Sequence, residues 1–75
     1  MIVKWYKIKR NKIAVVQFII EGYEGMSTVT TLDPHAAILQ VSIMQDFLQE
    51  ITALMESLKN KYDLEEIECY ATNKE

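Results

Sequence analysis

The first nine residues alternate. Ile2, Tyr6 and Ile8 fall on one face of an extended chain, and Val3, Trp5, Lys7 and Lys9 on the other, so residues 2–9 read as a strand. Residues 12–21 carry two patterns at once. The run Val15 to Ile20 has strand propensity, yet Ile13, Val16, Ile20 and Tyr23 recur at helical spacing and no turn residue interrupts ten positions. The spacing predicts a helix packed on a sheet, with Asn11 as its N-cap and Gly22 or Gly25 ending it by adopting positive φ.

Residues 26–43 read as a hairpin. Asp33-Pro34-His35-Ala36 suits a type I turn, because Pro34 presets φ at the second position and Asp33 can accept from the turn backbone. The return strand sets Ala37, Leu39, Val41 and Ile43 against Ile38, Gln40 and Ser42. A four-residue turn then puts Met26, Thr28, Thr30 and Leu32 on the buried face, and Ser27, Val29 and Thr31 on the open one. Over residues 46–62 the apolar positions Phe47, Leu48, Ile51, Leu54, Met55, Leu58 and Tyr62 form one helical stripe opposite Gln49, Glu50, Glu56, Lys59 and Asn60. Ile67, Cys69 and Ala71 alternate with Glu66, Glu68 and Tyr70 in a last strand over 66–72.

The order is β-α-β-β-α-β. Two apolar helix stripes seeking one sheet face predict an α+β two-layer sandwich, and right-handed crossovers put the first and third strands at the centre, the ferredoxin-like order. Seventy-five residues, 49% hydrophobic and 25% charged, fit one folded domain over 1–75. A core this small needs support from disulfides, metals or partners. Cys69 is the single cysteine, and His35 the single histidine, so a partner remains and a homo-oligomer, a dimer first, is expected. Neither a transmembrane run nor a secretory apolar segment is present, so a cytoplasmic chain without membrane contact is expected.

Charge is divided unevenly. Lys4, Lys7, Lys9, Arg10 and Lys12 precede every acid in the chain, and all eleven acids follow them. A basic strand can read as a nucleic-acid footprint, but the net charge is −3 and residues 37–43 lack the aromatics of RNA-binding sheets, so no nucleic-acid partner is expected. No nucleophile–base–orienter set, metal-ligand cluster or glycine-rich phosphate loop stands in the sequence, so neither an enzyme nor a cofactor is expected. Cys69 reads as a small buried hydrophobe and His35 as an exposed turn residue, with a metal role beside Asp33 its weaker reading.

One segment breaks a local rule. Glu21 and Glu24 sit where a helix ends and oppose its dipole, with Tyr23 between them. Such places are enriched in function. The candidate ligand-binding residues are Glu21, Tyr23, Glu24 and Asp33. The plainer alternative is that Tyr23 packs on the core and the acids pair with neighbouring bases. The open sheet face gives the candidate interface, Val3, Trp5, Val29, Ile38 and Tyr70.

The stretch Glu21-Gly22-Tyr23-Glu24-Gly25, followed by Thr31-Leu32-Asp33-Pro34, resembles the bacterial family called domain of unknown function 4911, over roughly residues 5–60. The matching positions are Glu21, Gly22, Tyr23, Thr31, Asp33 and Pro34. The resemblance implies an ACT-like βαββαβ fold and no activity. Ligand-binding ACT domains carry a D-x-x-G pattern between first strand and first helix; here that junction is Lys9-Arg10-Asn11-Lys12, which argues against amino-acid sensing there. The expected function is a non-enzymatic regulatory or ligand-binding module acting as an oligomer, and the alternative is an assembly or adaptor domain with no small-molecule ligand.

Overall fold

The computed structural model describes residues 1–68. It runs β1 (Ile2–Lys7), α1 (Ile13–Glu21), β2 (Ser27–Asp33), β3 (Ile38–Ile43), α2 (Leu48–Tyr62) and β4 (Glu65–Ile67), with single 3₁₀ turns over Arg10–Lys12 and Gln45–Phe47 leading into the two helices. The strands form one antiparallel sheet in the order β2-β3-β1-β4. This is the expected ferredoxin-like arrangement, with β1 and β3 central and both helices on one face. Cys69, Tyr70 and Ala71 lie outside the described residues, so the expected strand over 66–72 is represented by Glu65–Ile67.

The core follows the predicted faces of β1, β3 and α2. Tyr6 and Ile8 from β1 and its extension, and Leu39, Val41 and Ile43 from β3, pack with Val16 and Ile20 of α1 and Ile51, Met55 and Leu58 of α2. Leu54, expected near the centre of the α2 stripe, is only half-buried at its flank. Leu64, between α2 and β4, completes the cluster. α2 ends at Asp63 in the left-handed conformation (φ 58°).

β2 departs from the expected register. Ser27 pairs with Ile43, Val29 with Val41 and Thr31 with Leu39, so these three share the helix-covered face with the core of β3. Val29 therefore does not belong to the open face, and its place in the candidate interface is corrected. The cause lies in the turn. Asp33 Oδ1 accepts from the N–H groups of His35 and Ala36 (3.0 Å each), as anticipated, but Ala37 follows in the left-handed region (φ 58°) and a bulge intervenes between Thr31 and Asp33. One additional residue reverses every side chain of the strand.

The first helix is shorter than its apolar pattern. Asn11 lies in the preceding 3₁₀ turn and does not cap α1; Lys12 occupies that position with no side-chain bond. Gly22 stays right-handed (φ −66°), and Gly25 is the glycine that takes positive φ (92°), reversing the chain into β2. Bases precede α1 (Arg10, Lys12) and acids close it (Glu21, then Glu24), so both of its ends oppose the helix dipole. α2 has the usual arrangement, with Asp46 and Glu50 at its start and Lys59 and Lys61 at its end.

Tyr6 shows how the charged rim meets the core. Its ring is 2% exposed, and burial first, then Glu66 and Glu56, hold its phenol well above the ordinary value of 10.0. Glu66, exposed on the edge strand β4, meets Lys4 (3.6 Å) and Lys59 (3.9 Å), and Lys59 also meets Glu56 (3.3 Å). Because the folded state holds the phenolic proton more tightly than the unfolded chain, this contribution is complete below pH 10.0 and is lost as the pH rises beyond it. Melting temperature should therefore fall more steeply above that pH in the native sequence than in Tyr6→Phe. Parallel curves would mean that Tyr6 ionises as freely in the fold as out of it.

Candidate functional site

The break in local rules at the end of α1 coincides with a cleft. Glu21 closes the helix, Glu24 lies in the turn that follows, and β2 returns directly beneath as the outer strand of the sheet. Glu21, Glu24, Ser27, Thr28 and Val29 line an opening of about 420 Å³ between these elements. The turn is drawn tight by its backbone: Tyr23 N–H donates to the Ile20 carbonyl (2.9 Å), and the Tyr23 carbonyl accepts from Met26 (3.0 Å) and Ser27 (3.3 Å).

Ser27 is one of the residues lining the cleft and sits on the helix-covered face of β2. It is 4% exposed, and its hydroxyl has no hydrogen-bond partner, the one such buried side-chain atom among the described residues. A buried hydroxyl without a partner costs free energy, so its retention needs a reason. The outer edge of β2 adds main-chain groups. Met44 N–H donates to the Met26 carbonyl (2.9 Å), and bonded pairs alternate along an antiparallel ladder, so Thr28 and Thr30 bond inward to β3. The Ser27 carbonyl and both backbone groups of Val29 then point outward, beside the cleft.

Its charge is uncompensated. Among the described residues the ion pairs are Lys4–Glu66, Lys9–Asp63, Lys59–Glu56 and Lys59–Glu66; none involves Glu21 or Glu24. The two carboxylates do not pair with neighbouring bases, and they add to the negative end of α1. Such a site attracts cations.

The sequence-predicted residues divide. Glu21 and Glu24 come together at the cleft. Tyr23 sits between them on the turn, partly exposed, and does not line it. Asp33 is at the opposite end of β2, where it organises the hairpin turn. Ser27 and Thr28 were not among the predicted residues, and Val29 was expected on the open sheet face instead, because the register that places them depends on the bulge. No three metal-ligating side chains cluster among the described residues.

On the open sheet face, Val3 and Trp5 are half-buried and Ile38 is buried; Trp5 Nε1 donates to Gln40 Oε1 (3.1 Å) across the strand pair. The most exposed large apolar side chain within an element is Phe18 on α1, at 76%, with Val15 one turn before it. Among the described residues no helix is long and apolar enough to cross a membrane.

The family model described as Domain of unknown function (DUF4911) matches residues 6–61. That span begins within β1 and ends within α2, so it contains the whole cleft. No curated protein and no solved structure matches the chain.

Proposed function

Since the chain belongs to the DUF4911 family, whose description carries no activity, we propose from its geometry that it is a non-enzymatic, ACT-like regulatory module that binds a small ligand and works as an oligomer. The observation that carries this reading is a cleft lined by Glu21 and Glu24, two carboxylates with no ion-pair partner among the described residues. A cleft of about 420 Å³ lies within the ordinary range for small-molecule sites. The neighbouring groups offer hydrogen bonds and charge but no nucleophile–base pair, which favours binding over catalysis. Native mass spectrometry of the protein isolated gently from its own cells should show a bound small molecule, lost on Glu21→Gln with Glu24→Gln; a ligand-free spectrum would count against the reading.

Self-association is supported by the small core and by the sheet face that no helix covers. Light scattering at micromolar concentration should report at least twice the chain mass of 8.7 kDa. Trp5→Glu should reduce it if the sheet face is the contact, and Phe18→Glu if α1 is. A monomer throughout would defeat the oligomer. The second reading, an adaptor domain that binds another protein and no small molecule, is favoured by Phe18 standing in solvent beside Val15.

A further inference from the structure

Resting on the oligomer half of the reading above, we infer that α1 is the contact and that its occupant is the α1 of a second copy of this chain, lying antiparallel across a two-fold axis near Val16 and Gln17. Composition comes first. Within α1 only Gln17 and Glu21 are polar. A helix that is apolar all round belongs under cover on every side. The sheet covers one side, through Val16 and Ile20. Ala14, Val15 and Phe18 remain exposed on the other. α2 has no such need, since Glu50, Glu56 and Asn60 stand on its outer side. The open sheet face has less need, because Ile38 is buried there, Val3 and Trp5 are half-buried, and the Trp5 indole is bonded to Gln40.

Charge then names the occupant. Arg10 and Lys12 stand before α1, and Glu21 and Glu24 at its close; no ion pair among the described residues includes any of the four. Each set opposes the dipole of its own helix, and each suits the opposite end of an antiparallel neighbour. A two-fold contact pairs a patch with itself, so whatever one copy offers at one end it must accept at the other. α1 meets that condition. Antiparallel helices align their residues in opposite chain order, so setting Lys12 against the partner's Glu21 also sets Val15 against the partner's Phe18. Arg10 falls beside the partner's Glu24 within one position of the same register. One alignment therefore covers the apolar centre and matches the charge at both ends, which is how electrostatic complementarity fixes register. Glu21 and Glu24 also line the α1–β2 cleft, so assembly and cleft share these side chains.

Charge reversal with sedimentation equilibrium tests the inference. The native chain at micromolar concentration should give twice the mass of 8.7 kDa. Arg10→Glu with Lys12→Glu, and separately Glu21→Lys with Glu24→Lys, should each weaken self-association about tenfold or more in dilute salt, because like charges then meet at both ends. Both changes suit the dipole of their own helix, so circular dichroism should show the fold retained. Mixed in equal amounts, the two variants should form a heterodimer as tight as the native dimer, seen by native mass spectrometry, since acids again meet bases at both ends. Phe18→Glu should weaken association about tenfold or more at any salt concentration, and Trp5→Glu should leave it unchanged. Association lost on Trp5→Glu but kept in Phe18→Glu and in both charge variants would overturn the α1 contact and leave the oligomer standing. Loss on Phe18→Glu, with no heterodimer from the mixture, would overturn the antiparallel register. A native chain that stays a monomer would overturn the inference and the oligomer together.

Discussion

Ile51→Ala should lower the unfolding free energy by about 2–5 kcal/mol, the largest loss expected from any single truncation in α2. Ile51 is fully buried, and its side chain shares the core with Met55 and Leu58 on its own helix and with Leu39, Val41 and Ile43 beneath it. Removing it forfeits transfer free energy and leaves a cavity that a rigid sheet on one side cannot collapse to fill. Native domains hold only about 5–15 kcal/mol in all, so this one change removes a large share. Leu54→Ala, at the half-buried flank of the same stripe, should cost less. The urea midpoint of each variant measures the difference, at unchanged slope. An Ile51→Ala midpoint equal to that of the native sequence would show that α2 presents another face to the sheet.

Ser27→Ala should act in the opposite direction, raising stability of the ligand-free protein by about 1–3 kcal/mol. The hydroxyl is buried without a partner, and alanine keeps the Cβ while removing the group that burial penalises. A loss of stability on Ser27→Ala would mean that the hydroxyl bonds to something within the fold.

What could be read from the residues, and what could not, divides at the hairpin. Strand β1 and its extension set Ile2, Tyr6 and Ile8 on one face, interrupted by Lys4, and α2 repeats its apolar positions over four turns, so most of their side chains find their face from local pattern alone. Their positions, with the need of two helices for one sheet face, were enough for the βαββαβ order and the central pair of strands. β2 is different. Ser-Thr-Val-Thr-Thr is small and polar on both faces, so nothing in its own composition specifies which side is inside. The turn decides it, and the turn holds an alanine in a conformation that alanine seldom takes, next to a bulge that no turn residue announces. The error moved Ser27 and Val29 to the wrong face and hid half of the cleft. Glu21 and Glu24 were legible because they violate a rule that needs no register: acids do not favour the carbonyl end of a helix.

The reversed charge of α1 also sets how the two helices respond to ionic strength. The Debye length shortens from about 30 Å in 0.01 M salt to about 8 Å at 0.15 M. Screening weakens the favourable end charges of α2, with Asp46 and Glu50 at one end and Lys59 and Lys61 at the other. In α1 it relieves Arg10 and Lys12 at the start and Glu21 and Glu24 at the close. Salt therefore pulls the two helices of one small sandwich in opposite directions, and α1 is the helix that dilute buffer strains. Replacing Glu21 and Glu24 with Gln should do at one point what salt does everywhere, relieving the closing end of α1 and leaving the well-matched ends of α2 untouched.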